Sequence, residues 1–301
     1  MRHRVHLHVV RGFAGARQYD GPILGTSRAL AGFVDGMADW DIACPDEAKA
    51  LTIKAIPGVA PFLMLHYRTP VLRISQFAGR SLGHPHDRHF ATNLHSGAVI
   101  ARPRGPLGAI VVRFRPETAS QLLGEPPRHF LDAQIRLDDL FGRSQLSLLE
   151  ERLSEARSSS HRFAHVERFL LAHLHPREDR PIACRAAALL SRRPLLRVRD
   201  LAGRLGVSER HLARSFNDTF GMGPKHFARI ARIERVWSMR ARGATWAEIA
   251  YAAGFADQAH MINDFAQIVG MSPGQLLGSE GKGRHPASAA SATGSGVWFS
   301  W

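Results

Sequence analysis

Acidic residues are scarce in this chain. Its 301 residues carry 26 Asp and Glu against 40 Lys and Arg, a formal net charge of +14, and such an excess calls for a polyanionic partner, nucleic acid or an acidic membrane surface. Lysine is scarce too, so most of the cations are Arg. The planar guanidinium suits phosphate and guanine edges, whereas a merely solvated surface would do as well with Lys. Cysteine is almost missing: Cys44 and Cys184 exclude a disulfide framework and a multi-cysteine zinc site, and fit a reducing compartment. Apolar runs long enough to span a bilayer are also missing. The opening MRHRVHLHVVRGFAGAR is positively charged, but His and Arg interrupt each apolar run before a signal-peptide core forms, so we expect no export signal, no membrane and a cytoplasmic protein. No Ser-His-Asp elbow, phosphate-cradling Gly loop or paired-carboxylate motif stands out, and we expect no catalytic residue and no cofactor.

What is present is ordinary globular composition, 45% hydrophobic and 22% charged, in a chain long enough for two domains. Between about 50 and 115 come short apolar runs parted by Gly and Pro: ALTIKAIPG, APFLMLHY, PVLRISQF, GAVIARP and LGAIVVRF. These are strand signals. In the last, Ile110, Val112 and Phe114 alternate with Val111, Arg113 and Arg115, the pattern of a half-buried strand, and Pro116 then opens a helix at PETASQLL. We expect an α+β protein whose residues 1–142 form a mainly β, barrel-like regulatory or sensor domain.

At RSQLSLLEERLSEAR (143–157) the spacing turns helical, with Leu146, Leu149 and Leu153 on one face, and a second helix follows at 161–175. Residues 143–180 are read as a helical connector. It offers a possible dimer surface, or an amphipathic pair docked on the protein's own sheet. HPREDRP (175–181) marks the boundary to an all-α domain at 181–278.

That domain contains an internal repeat. DLAGRLGVSERHLARSFNDTFGMGP (200–224) aligns with EIAYAAGFADQAHMINDFAQIVGMSP (248–273), with one extra residue near Ala256. Leu212 matches Met261, Phe216 matches Phe265, Gly221 matches Gly270 and Pro224 matches Pro273. Each copy reads as helix, Gly-containing turn and second helix, the second capped by Ser208 or Asp257, with Thr245 and Glu248 at capping-box spacing. Helix-turn-helix units are expected at 198–220 and 245–270, joined by a helix from Pro224 to about Arg242. At roughly 1.5 Å per residue the joining helix spans about 28 Å, close to the roughly 34 Å between successive major grooves. The last residues, 279–301, are expected to be a disordered tail whose closing VWFSW docks back on the body.

With AGRLGVSERHLARSF, GMGPKHFARIARIERV and AAGFADQAHMINDFAQIVGMSP, the region 181–278 resembles the DNA-binding domain of AraC-family bacterial transcription regulators. Those regulators carry two helix-turn-helix units joined by a long helix. VVRFRPETASQLLG followed by IRLDDLFG resembles the N-terminal domain of unknown function found on a subset of them. The resemblance implies double-stranded DNA and RNA polymerase as partners, an activator or repressor role, and a regulatory or oligomerising N-terminal domain with no known ligand; we expect that domain to sense a small-molecule effector or to form a homodimer. Where the family pattern has Arg or Lys, this chain has Asn263 and Ala266.

The cations divide unevenly. Residues 181–242 hold 14 Lys and Arg against Asp200, Glu209, Asp218 and Glu234, a net of +10; residues 243–278 hold none against Glu248, Asp257 and Asp264, a net of −3. Phosphate affinity follows cations delivered, so it should come from the first unit and the joining helix. Arg210 and Arg214, neighbours at i and i+4, with His211 beside them and Ser208 at the cap, are the first-unit DNA contacts expected, and Lys225 a phosphate contact. In the second unit Gln258, His260 and Asn263 are read as lying on or near one face, where Gln and Asn can bond adenine edges without charge. The alternative is that Met261, Phe265 and Ile268 pack this helix into the domain and its polar face meets only water.

GHPHDRHF (83–90) supplies His84, His86 and His89, with Asp87 near, as metal-ligand candidates. They define the alternative function, a metal-dependent β-domain enzyme fused to a DNA-binding module. A surface loop rich in His fits the same residues. A third reading is a helical adaptor that binds polymerase without reading DNA.

Overall fold

A computed structural model describes residues 8–10, 23–24, 27–77, 80–82, 88–93, 97–175, 181–277 and 295–299. Its strands run, in chain order, β1 His8–Val10, β2 Ile23–Leu24, β3 Val34–Ile42, β4 Leu51–Ala55, β5 Phe62–His66, β6 Val71–Phe77, β7 Arg80–Leu82, β8 His89–Thr92, β9 Val99–Pro103, β10 Leu107–Phe114, β11 Gln134–Arg136 and β12 Ser295–Phe299. They make two six-stranded sheets, ordered β1-β12-β4-β9-β6-β7 and β11-β8-β5-β10-β3-β2. Leu51, Ile53 and Val71 of the first share a buried cluster with Trp40, Met64 and Val111 of the second. The sheets therefore face each other around one core, the barrel-like arrangement expected.

β10 sits between β3 and β5, with Ile110 opposite Asp39 on one side and Leu65 on the other. It is not half-buried. Ala109, Ile110, Val111, Val112 and Phe114 are all fully enclosed, because the other sheet covers one face and helices cover its second. Period-2 spacing marks Arg113 and Arg115 as the solvent side of the strand, but both are held by carboxylates. After Pro116 the chain makes a turn, and the helix begins three residues later as α2, Ala119–Leu123.

The helices before the second domain are α1 Pro45–Lys49, α2, α3 Leu137–Phe141, α4 Arg143–Glu155 and α5 Ser159–Ala172, with a single 3₁₀ turn at Pro127–Phe130. The leucine face of α4 and Phe163, Val166 and Leu170 of α5 join Leu63, Leu65, Ile110, Val112 and Phe114 in one buried cluster. The pair is thus docked on the protein's own sheet, the second of the two alternatives, and is a layer of the N-terminal domain more than a connector. A charged network pins it. Arg162 Nη1 of α5 donates to Asp39 at 3.0 Å and lies 3.0 Å from Asp41, its guanidinium stacks 4.4 Å from the Tyr67 ring, and the Tyr67 hydroxyl donates to Asp39 at 2.6 Å. Burial and Asp39 together push the Tyr67 hydroxyl far above its ordinary pKa, so it stays a donor.

The helical domain comprises α6 Ile182–Arg192, α7 Val198–Leu205, α8 Glu209–Phe220, α9 Pro224–Ala241, α10 Trp246–Ala252, α11 Gln258–Val269 and α12 Pro273–Leu277. The internal repeat is a structural repeat: α7 turns into α8 at Gly206, and α10 turns into α11 near Gly254. Both glycines hold positive φ, +70° and +69°, which a Cβ would strain. Phe216, Phe227, Trp237 and Phe265 share the central core. Trp237 and Phe265 rings lie 5.9 Å apart, tying α11 to α9.

The closing segment docks on the body, as expected, but does so as a paired strand. Residues 279–294 lie outside the described set, but Ser295–Phe299 is a strand, parallel to β4 with Val297 opposite Ile53 and antiparallel to β1. Val, Trp and Phe favour extended backbone, and the free edge of β4 offers unpaired amides and carbonyls to such a segment.

Candidate nucleic-acid interface

α8 begins at Ser208, whose Oγ accepts from the His211 amide at 3.2 Å. That hydroxyl is occupied as a helix cap, a contribution of about 1 kcal/mol to the helix start. Leu212, Phe216 and Phe220 turn inward, which leaves Arg210, His211 and Arg214 exposed on the opposite side. With 3.6 residues per turn the two arginines sit one above the other. Lys225 is the second residue of α9 and is exposed.

α11 begins at Asp257, which accepts from the His260 amide at 2.7 Å. Met261, Phe265 and Ile268 are buried, while Gln258, His260 and Asn263 are exposed. At about 100° per residue His260 and Asn263 are roughly 60° apart, but Gln258 is roughly 140° from Asn263. The three do not share one face. The residue that shares Asn263's face one turn on is Gln267, also exposed, which spacing alone could have found.

The negative charge of the second half has a structural origin. Glu248 closes a capping box with Thr245, and those bonds hold its carboxyl below the ordinary range. Asp257 is the α11 cap. Asp264 is buried and accepts two bonds from Arg229 of α9, from Nε at 3.0 Å and Nη2 at 2.5 Å, while the same Nη2 donates to Gln267 at 2.9 Å. None of the three acids is a free surface anion.

The joining helix therefore contributes less to phosphate attraction than its cation count suggests. Arg232 donates to the carbonyls of Ala253 and Gly254 at 2.7 and 2.5 Å and stacks 3.3 Å from the Phe255 ring centroid. Arg240 lies over Trp246 at 5.2 Å. Arg229, Arg232 and Arg240 are thus engaged with the second half of the domain. Exposed cations remain on α6 to α8, among them Arg197, Arg199, Arg204, Arg210 and Arg214.

Of the metal candidates, His89 alone is among the described residues. His84 and His86 lie outside the described residues. His89 is buried with Nε2 3.1 Å from Glu150, and burial lowers its pKa in spite of that carboxylate. His89 pairs with Leu65 across the sheet, so it leaves the face opposite to that of His66. Among the described residues no group of three or more His, Cys, Asp or Glu could hold a metal, and no described helix is long and apolar enough to cross a membrane.

Residues 201–279 match the family model of a helix-turn-helix domain. Over 97 residues the chain is 34% identical to a protein of Streptomyces lividans named as an AraC-like transcription regulator, a match covering 31% of this chain and 32% of that relative. The chain thus spans about a third of the length of the curated relative it matches. Among solved structures it is similar to ToxT of Vibrio cholerae, with a TM-score of 0.46 and 14% identity over 80% of this chain and 97% of that one. A ToxT structure with bound unsaturated fatty acid gives a TM-score of 0.44 at 14% identity over 80% and 94%. Residues 201–279 are thus a helix-turn-helix domain, similar in sequence to that of an AraC-like regulator.

Proposed function

We propose that this protein is a sequence-specific transcription regulator that binds double-stranded DNA through two helix-turn-helix units, α7–α8 and α10–α11, set against adjacent major grooves. The observation that carries the reading is the exposed Arg210–Arg214 face of α8, backed by a buried Leu212–Phe216 face, within the half of the domain whose net charge is +10. α8 is the anchor. Its arginines reach base edges, Lys225 holds a phosphate at the start of α9, and cations on α6 and α7 supply the remaining charge. α11 reads in a second groove through neutral groups, Asn263 foremost, with His260 and Gln258 at its entry. The 18 residues of α9 span about 27 Å, which suits adjacent grooves. The N-terminal domain is the sensor of a small-molecule effector or the site of homodimerisation, and RNA polymerase is the second partner.

The test is selection of bound duplexes from a random-sequence pool, followed by titration of the recovered duplex and a scrambled one at moderate salt. Specific binding tighter than non-specific by a factor on the order of 10³ or more supports the reading. Equal affinity for both would leave a charge-driven binder without sequence recognition.

A further inference from the structure

Among the described residues, contacts of the N-terminal domain with the helical domain span both helix-turn-helix pairs. At the centre, Arg113 of β10 donates to Glu234 of α9 at 3.0 Å, with side-chain exposures of 14% and 21%. The Val59 backbone N–H also donates to that carboxylate. Gly58 lies so close that a Cβ there would stand 2.5 Å from Glu234 Oε1. Asp35 steadies the arginine from behind, 4.0 Å from its Nε.

Further contacts lie at the ends of the helices proposed to read DNA. Arg128 donates to the carbonyl of Asp218 in the last turn of α8. Leu131 fills the space beside Gly221, where a Cβ would meet its Cδ1 at 2.5 Å. The Ala98 amide donates to the carbonyl of Val269, the last residue of α11, at 3.1 Å. Ile56, Val59 and Ala98 are buried in the same cluster as Phe216 and Phe265. One sheet-based body thus carries the C-terminal ends of α8 and α11 and the middle of the helix between them.

From this geometry we infer that Arg113, acting through Glu234, is a positioning residue for DNA recognition: it seats the N-terminal domain as a splint that fixes the separation and tilt of α8 and α11. The inference rests on the two-unit reading above. Two linked modules gain avidity only when their spacing matches that of their sites. A splinted pair should therefore discriminate sharply between spacings, and an unsplinted pair should not.

The probe is the duplex selected by the parent chain, rebuilt with one base pair at a time inserted or deleted between the two contacted segments, plus a duplex keeping only the segment bound by α8. For the full-length parent, affinity should fall about tenfold or more within two base pairs of the optimum. Arg113→Ala and Glu234→Gln should flatten that profile to within about threefold while the single-segment duplex binds as before, and Arg113→Lys should restore most of the sharpness. A variant that is merely less folded would lose affinity for every duplex in proportion. Profiles as steep as the parent's in both Arg113→Ala and Glu234→Gln would overturn the inference. A parent with no spacing preference would overturn the two-unit reading and the inference together, and a failure of Arg113→Ala to fold leaves Glu234→Gln to decide.

Discussion

Replacing Asp264 by Asn distinguishes an anion that faces DNA from one that holds the domain together. Asp264, with a side chain 11% exposed, accepts two bonds from Arg229, which is 35% exposed. Asn keeps the shape and one acceptor oxygen but removes the charge. A charge-assisted bond is worth about twice a neutral one, with net contributions of about 1.5–3 against about 0.5–1.5 kcal/mol. Two bonds therefore stand to lose about 2 kcal/mol, and because Arg229 reaches water and keeps Gln267, we expect a loss of about 1–2 kcal/mol. For a chain of 301 residues unfolding as one unit, that lowers Tm by roughly 2–3 °C. DNA affinity at moderate salt should rise only slightly and the slope of log affinity against log salt should change by less than one, since the carboxylate removed is turned inward and the cation it releases, Arg229, is only one-third exposed. Scanning calorimetry and fluorescence anisotropy over a salt series measure the two quantities. Unchanged Tm with markedly tighter DNA binding would refute the reasoning, for it would mean that Asp264 had been repelling phosphates.

Arg210→Ala and Arg214→Ala should each cost about 1–3 kcal/mol of specific binding and relax sequence preference at the contacted base, whereas Lys225→Ala should weaken all duplexes alike and reduce the salt slope by about one; parent-like binding by both Arg variants would remove α8 as the anchor. His89 gives a pH signature: its folded pKa lies below the ordinary 6.5 because of burial, so the unfolded chain takes up more protons as pH falls from 6.5. Its contribution is complete above that value and is lost towards acid, by at most about 1.4 kcal/mol per pH unit. Denaturant titrations of parent and His89→Gln between neutral pH and the acid side of 6.5 should show a shallower decline in the variant, and equal declines would show that His89 does not titrate this way.

The helical domain was readable because its signals are local. Ser208, Asp257 and the Thr245–Glu248 pair announce helix starts within four residues, and the apolar, Gly and Pro positions repeat as a set. What escaped depends on partners distant in sequence. Asp264 reads as a surface anion until Arg229 on another helix is beside it. Arg113 reads as the wet side of a strand until Glu234 is brought across from the second domain. An amphipathic helix such as α4 states that one face is buried but not against what, and only packing shows it on the sheet under Phe114. The tail strand needed β4 as partner, which no periodicity in VWFSW names. Gln258 is near Asn263 in sequence, but helical angle separates them.

The central claim is that two recognition helices of one chain engage one face of DNA, with α8 as the charged anchor. Hydroxyl-radical footprinting of the full-length protein on the DNA upstream of its own coding sequence tests it most directly. The account predicts two protected patches on one face of the duplex, about one helical turn or 10–10.5 base pairs apart, both lost when Arg210 and Arg214 are replaced together. A single patch, or protection that survives that double replacement, would contradict it.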